Sequence, residues 1–134
     1  DAEVEEVGIT FKGNMSTPKN IGNTGWYKYG TVPGELGSSV IDGHVDNGFN
    51  LPGVFANLKN LNIGDDVYVK TSENENLHFV VVDKKIYPYK EVPLEEVFNK
   101  NDAPRLNLIT CEGDWIDAEQ TDENRLVVYT RLVE

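Results

Sequence analysis

Three side chains have the types that acyl chemistry uses: Cys111, His44 and Arg125. Cys111 is the only cysteine of the chain and closes an alternating run, Leu106-Asn107-Leu108-Ile109-Thr110, that reads as a strand with one buried face. Glu112-Gly113-Asp114 reads as the break that ends this strand. A thiol at the exit of a core strand is placed to react, although a lone cysteine more often serves as a small buried hydrophobe. With an ordinary pKa of about 8.5, only a few per cent of such a thiol is ionised at neutral pH, so a nucleophilic cysteine needs a proton acceptor. The two histidines are His44, in a turn after a strand, and His78, between Leu77 and Phe79 in mid-strand. His78 reads as a cross-strand surface residue; spacing does not rank the two, and turn position favours His44 only weakly. A tetrahedral intermediate places charge on an oxygen, which a fixed guanidinium can stabilise. Arg125, near the start of the last strand, can do this, or can pair with one of many carboxylates. Together the three describe acyl transfer through a thioester. His44 and Cys111 lie 67 residues apart, so only the fold can join them.

Other chemistries find little support. The chain has no GxSxG, HExxH, P-loop or GxGxxG motif, and no Cys/His spacing for zinc. Asp42 and Asp46 flank His44, and Asp65-Asp66 and Glu95-Glu96 are acidic pairs, but none follows the EF-hand pattern, and solvated acids are the simpler reading. No metal and no cofactor is expected. The net charge of −11 repels phosphate backbones and anionic lipid, so nucleic-acid binding is disfavoured. One cysteine rules out an intramolecular disulfide.

The elements that must position these residues are short and mostly β. At 134 residues the chain fits one domain, residues 1–134, without a staple. Strands are predicted over residues 7–11, 25–29, 38–42, 66–70, 77–87, 105–111 and 124–133, the last β-branched and aromatic as a central strand should be. Residues 52–58 are predicted to form one or two helical turns, and residues 93–98 a short helix with proline at its first position. Seven or eight strands with frequent turns argue an all-β barrel or sandwich, whose rim can gather residues from distant strands. No 18-residue apolar stretch is present, and the polar N-terminus is no signal peptide.

Taken in order, Val40-Ile41-Asp42-Gly43-His44-Val45-Asp46, Leu61-Asn62-Ile63-Gly64-Asp65-Asp66-Val67-Tyr68-Val69, Leu108-Ile109-Thr110-Cys111 and Arg125-Leu126-Val127-Val128-Tyr129 resemble the sortase family of cysteine transpeptidases. Gly25-Trp26-Tyr27 and Pro33-Gly34-Glu35-Leu36-Gly37-Ser38 look most like class F sortases. The resemblance runs from about residue 4 to the C-terminus. It implies an eight-stranded β-barrel with short helices. Here the chain starts after the family's first strand, which is then either cut off or supplied another way. It implies Cys111 as nucleophile, His44 as general acid/base and Arg125 as the arginine that holds substrate or oxyanion. Thr110 matches a position that contacts substrate. The implied reaction cleaves an LPXTG-like sorting signal between Thr and Gly, then passes the acyl group to an amine of a cell-wall precursor or a protein lysine. The groove is expected beside the loop of residues 87–104, with Pro88, Val92, Leu94 and Val97 as candidate lining. The implied location is the outer face of a Gram-positive-type membrane, through an anchor absent from this chain. Two other functions compete: a sorting-signal hydrolase with water as acceptor, and a non-catalytic β-barrel binding module with an inert Cys111.

Overall fold

The computed structural model describes residues 2–10, 13–46 and 51–133. Among these, seven strands form: β1 (Val4–Val7), β2 (Thr24–Tyr27), β3 (Gly37–Gly43), β4 (Asp66–Lys70), β5 (Asn76–Pro88), β6 (Pro104–Ile116) and β7 (Thr121–Leu132). They make one sheet, ordered β1-β2-β3-β6-β7-β5-β4, that curls into a half-barrel. The β1–β2 and β3–β6 pairs are parallel and the rest antiparallel. One short helix, α1 (Leu94–Phe98), and two 3-10 turns, Leu58–Asn60 and Asp117–Glu119, complete the elements. The all-β class with short helices is as expected, with seven strands described against the eight implied.

Strand alternation divides the core in two. On one face Ile41, Phe79, Val81, Leu106, Leu108, Leu126 and Val128 pack together, capped by Leu58. On the other, Val40, Val127 and Tyr129 meet Val97 of α1. Asn107, fully buried on this second face, ties α1 down by donating from Nδ2 to the Val97 carbonyl at 2.8 Å. A bulge in β5 between Val81 and Asp83 reverses the alternation. Phe79 and Val81 therefore serve the first face, while Tyr87 serves the second, where its hydroxyl meets that of Tyr129 at 2.8 Å.

Several boundaries differ from expectation. β6 does not end at Glu112-Gly113-Asp114 but runs to Ile116, because Gly113, at φ +83°, absorbs an extra residue as a bulge opposite β7. β7 correspondingly begins at Thr121. The first strand is residues 4–7; Ile9 makes only an isolated bridge to Met15, and Phe11 lies outside the described residues. Of the predicted helical turns, residues 54–57 form turns, and a single 3-10 turn comes after them at Leu58–Asn60. In the predicted helix, Pro93 is the cap and Leu94 the first helical residue.

Candidate active site

Register brings the three candidates to one level of the sheet. β3 and β6 run parallel with Asp42 opposite Ile109, and continuing that register one residue past the end of β3 at Gly43 puts His44 level with Cys111. On the other side of β6, Cys111 pairs directly with Arg125 of β7. Adjacent strands lie about 4.8 Å apart, which sets the spacing of the three backbones. Alternation puts their side chains on one face, the face of Val40, Val127 and Tyr129. The Thr110 hydroxyl, on a residue only 5% exposed, donates to the Gly43 carbonyl at 2.7 Å and pins the end of β3 to β6. Its side chain thus joins strands within the sheet. His78 is elsewhere: on β5 it stacks on Tyr68 and bonds the exposed Asp66 at 2.7 Å, a surface role as expected.

Arg125 is held before any ligand arrives. It donates to the carbonyls of Asp122 and Asn124 at 3.1 and 3.0 Å and to the Thr121 hydroxyl at 2.7 Å, and lies 5.6 Å from the Tyr89 ring centre. Cys111 is half-buried. Burial pushes its thiol above the ordinary range; the charges of Asp122 and Asp46 and a hydrogen bond to Asp122 push the same way, against the pull of Arg125. The resting thiol is therefore protonated at neutral pH. Burial also raises the Asp122 carboxyl, as does the nearby charge of Asp46.

The His44 ring hydrogen-bonds through Nε2 to the Pro18 carbonyl at 2.9 Å. Its backbone is held by a strap of residues 53–55. Phe55 N–H donates to the His44 carbonyl and Gly53 N–H to the Val45 carbonyl, each at 3.0 Å. Two residues back, Asp42 is 8% exposed with one carboxylate oxygen lacking a hydrogen-bond partner, and burial raises its pKa to about 7. Gly25 faces it, and a side chain there would meet that oxygen.

Asp122, Pro18 and Gly53 were not picked out from sequence. Asp122 precedes the strand predicted over residues 124–133, whereas β7 begins at Thr121 and carries Asp122 beside Cys111. The contact of Pro18 is a backbone carbonyl, which leaves no mark in residue type. Among the expected groove residues, Val97 is fully buried in the core, while Leu94 is 62% exposed. A cleft of about 550 Å³ opens beside α1, lined by Tyr87, Glu96, Lys100, Arg105 and Tyr129 among others, and none of Cys111, His44 or Arg125 lines it.

The sequence profile described as Sortase domain matches residues 3–133. The chain belongs to the sortase family. Solved sortases share its fold. Sortase C-1 from Actinomyces oris superposes with a TM-score of 0.67 at 24% identity, over 83% of this chain and 57% of that one. Sortase C2 of Group B Streptococcus Pilus Island 1 gives 0.67 at 24%, over 84% and 59%. Sortase A from Corynebacterium diphtheriae, a lid mutant, gives 0.71 at 19%, over 96% and 68%. This sortase domain thus spans under three fifths of the length of the two sortases C. No curated protein matches it in sequence. Among the described residues of the domain, no helix is long and apolar enough to cross a membrane.

Proposed function

We propose that this sortase domain is a cysteine transpeptidase acting on an LPXTG-like sorting signal. The observation that supports the reading is the pairing of Cys111 with Arg125 across β6 and β7, with His44 next after β3, where the parallel β3–β6 register continues toward Cys111. In the proposed reaction, the sulfur of Cys111 bonds to the carbonyl carbon of the signal's threonine as His44 takes the thiol proton. Arg125, already fixed by three hydrogen bonds, stabilises the oxygen that gains charge. His44 returns the proton to the departing glycine amine, leaving a thioester. An acceptor amine, from a cell-wall precursor or a protein lysine, attacks this thioester, and the sulfur is released. The acceptor site faces the outside of a Gram-positive-type cell. Class F membership rests on Gly25-Trp26-Tyr27 and the Pro33–Ser38 segment.

Intact-mass spectrometry of the protein with an LPXTG-type peptide, with and without triglycine, tests the reading. The expected result is an acyl adduct on Cys111 that triglycine discharges with formation of ligated product. Cleaved product without ligation makes the enzyme a sorting-signal hydrolase. Absence of any adduct, with Cys111 slow to alkylate, supports a binding module instead.

A further inference from the structure

An imidazole that takes a proton from a thiol must be held in one tautomer, and that is set by the partner of its other nitrogen. Among the described residues the hydrogen-bond partner of the His44 ring is a main-chain oxygen and not a carboxylate: its Nε2 meets the Pro18 carbonyl at 2.9 Å. A carbonyl only accepts, so the hydrogen sits on Nε2 and the lone pair is left on Nδ1. Pro18 is itself held at a distance. One carboxylate oxygen of Glu5 on β1 accepts the Lys19 N–H at 3.1 Å. The other accepts the Asn20 N–H at 3.2 Å and the Asn23 side-chain amide at 3.1 Å. These bonds hold the Glu5 carboxyl below the usual range, so the anchor stays charged at neutral pH. The loop is clamped from the far side too, where the Val54 N–H donates to the Ile21 carbonyl at 3.0 Å, and the next residue, Phe55, bonds the His44 carbonyl.

We propose that the segment 18–23, anchored by Glu5, is the orienting member of the site: its Pro18 carbonyl fixes His44 as the Nε2–H tautomer and leaves Nδ1 to take the thiol proton. The proposal rests on the transpeptidase reading for the use of that proton, but not for the tautomer. Glu5 is a positioning residue that acts through the loop. A carbonyl supplies direction without a full negative charge, so His44 is oriented while the thiol keeps its proton until substrate is bound. The proton then moves from Sγ to Nδ1 as the sulfur–acyl bond forms, and from Nδ1 to the leaving amine as the peptide bond breaks.

The test is ¹⁵N-histidine NMR of the intact chain above the titration of the rings. Only two histidines are present, and His44→Gln assigns the signals. Wild type should show His44 wholly as Nε2–H. Glu5→Ala should give mixed tautomers and lower kcat roughly tenfold to a hundredfold with KM nearly unchanged, the scale of a misoriented base. Glu5→Gln keeps one accepting oxygen and turns the other into a donor facing N–H groups, so both properties should fall between wild type and Glu5→Ala. An Nδ1–H tautomer in the wild type overturns the proposal outright. A folded Glu5→Ala protein with the wild-type tautomer and kcat overturns the role of Glu5. If Glu5→Ala does not fold, Asn23→Ala, which removes one of the three bonds, should shift the tautomer in the same direction, and no shift overturns the anchoring. A protein inactive on every sorting signal but wholly Nε2–H at His44 would sink the transpeptidase reading and leave the orienting role standing.

Discussion

Replacing Gly53 by alanine should disable the site without touching any of its reactive groups. A Cβ at position 53 would overlap the His44 carbonyl oxygen and lie 2.6 Å from its carbon and 3.0 Å from its Cβ. Real Cβ contacts essentially never fall below 3.0 Å, so strap and histidine must separate by most of an ångström. Neither partner can yield alone. The strap is bonded to the carbonyls of His44, Val45 and Ile21, so moving it drags the same backbone that carries the ring. Misplacing a catalytic group by about 1 Å costs roughly 10²-fold in rate. The overpacking should also cost about 1–3 kcal/mol of stability. The assay is kcat/KM for ligation of an LPXTG-type peptide to triglycine, at a temperature where melting curves show Gly53→Ala to be folded. A loss near a hundredfold is expected. A folded Gly53→Ala protein within threefold of wild type would refute the reasoning, because it would show that His44 tolerates displacement of the backbone that presents it.

Four further outcomes follow from the same geometry. Cys111→Ala should abolish adduct formation and turnover while changing the urea midpoint little, since trimming a half-buried thiol should cost less than about 1 kcal/mol. Arg125→Lys should lower kcat at least about tenfold in the ligation assay, because an ammonium cannot reproduce the three bonds that fix the guanidinium. Asp122→Asn removes a charge that raises the Cys111 thiol, so the pH profile of alkylation should move to lower pH and the rate at pH 7 should increase; an unmoved profile would exclude Asp122 from the thiol's surroundings. The Asp42 carboxyl titrates at about 7 in the fold against about 3.9 unfolded, so the native state binds the extra proton between these values and stability falls as pH rises through that window. The loss is on the order of 4 kcal/mol at most, and Asp42→Asn should flatten it, gaining on wild type at pH 8 relative to pH 4 in urea unfolding.

Where one face of a strand is buried and the other wet, sequence shows the strand. Val67 and Val69 on β4, and Phe79 and Val81 against His78 and Val82 on β5, alternate cleanly, and both strands form where expected. Bulges escape such reading. Gly113 looked like a stop because glycine is common in turns, yet its positive φ keeps β6 in the sheet. The bulge at Val82 carries no marker residue, so the transfer of Tyr87 to the face of Tyr129 was invisible. In the site, Cys111, His44 and Arg125 stood out by residue type and by the resemblance to sortases, and register then joined them. Their supports did not stand out. Gly53 matters through a close approach across eight intervening residues, and Pro18 through a main-chain oxygen, and neither property belongs to the residue itself.

For the proposed transpeptidase, the electrostatics around Cys111 favour a thiol that is activated late. With Asp46 and Asp122 beside the thiol and a net charge of −11 overall, the nearby guanidinium of Arg125 is too little to hold a thiolate in a half-buried position. In the proposed reaction the proton passes from Cys111 to His44, and the negative charge moves on from sulfur to the oxygen assigned to Arg125. On that reading the negative charge settles beside the guanidinium only after attack has begun, which lowers the energy of the reacting state without ionising the resting one. A free thiolate would be alkylated or oxidised between turnovers. A thiol kept neutral by its surroundings, and paired with a base whose geometry is fixed in advance, avoids that loss and still reacts once a peptide carbonyl is in place.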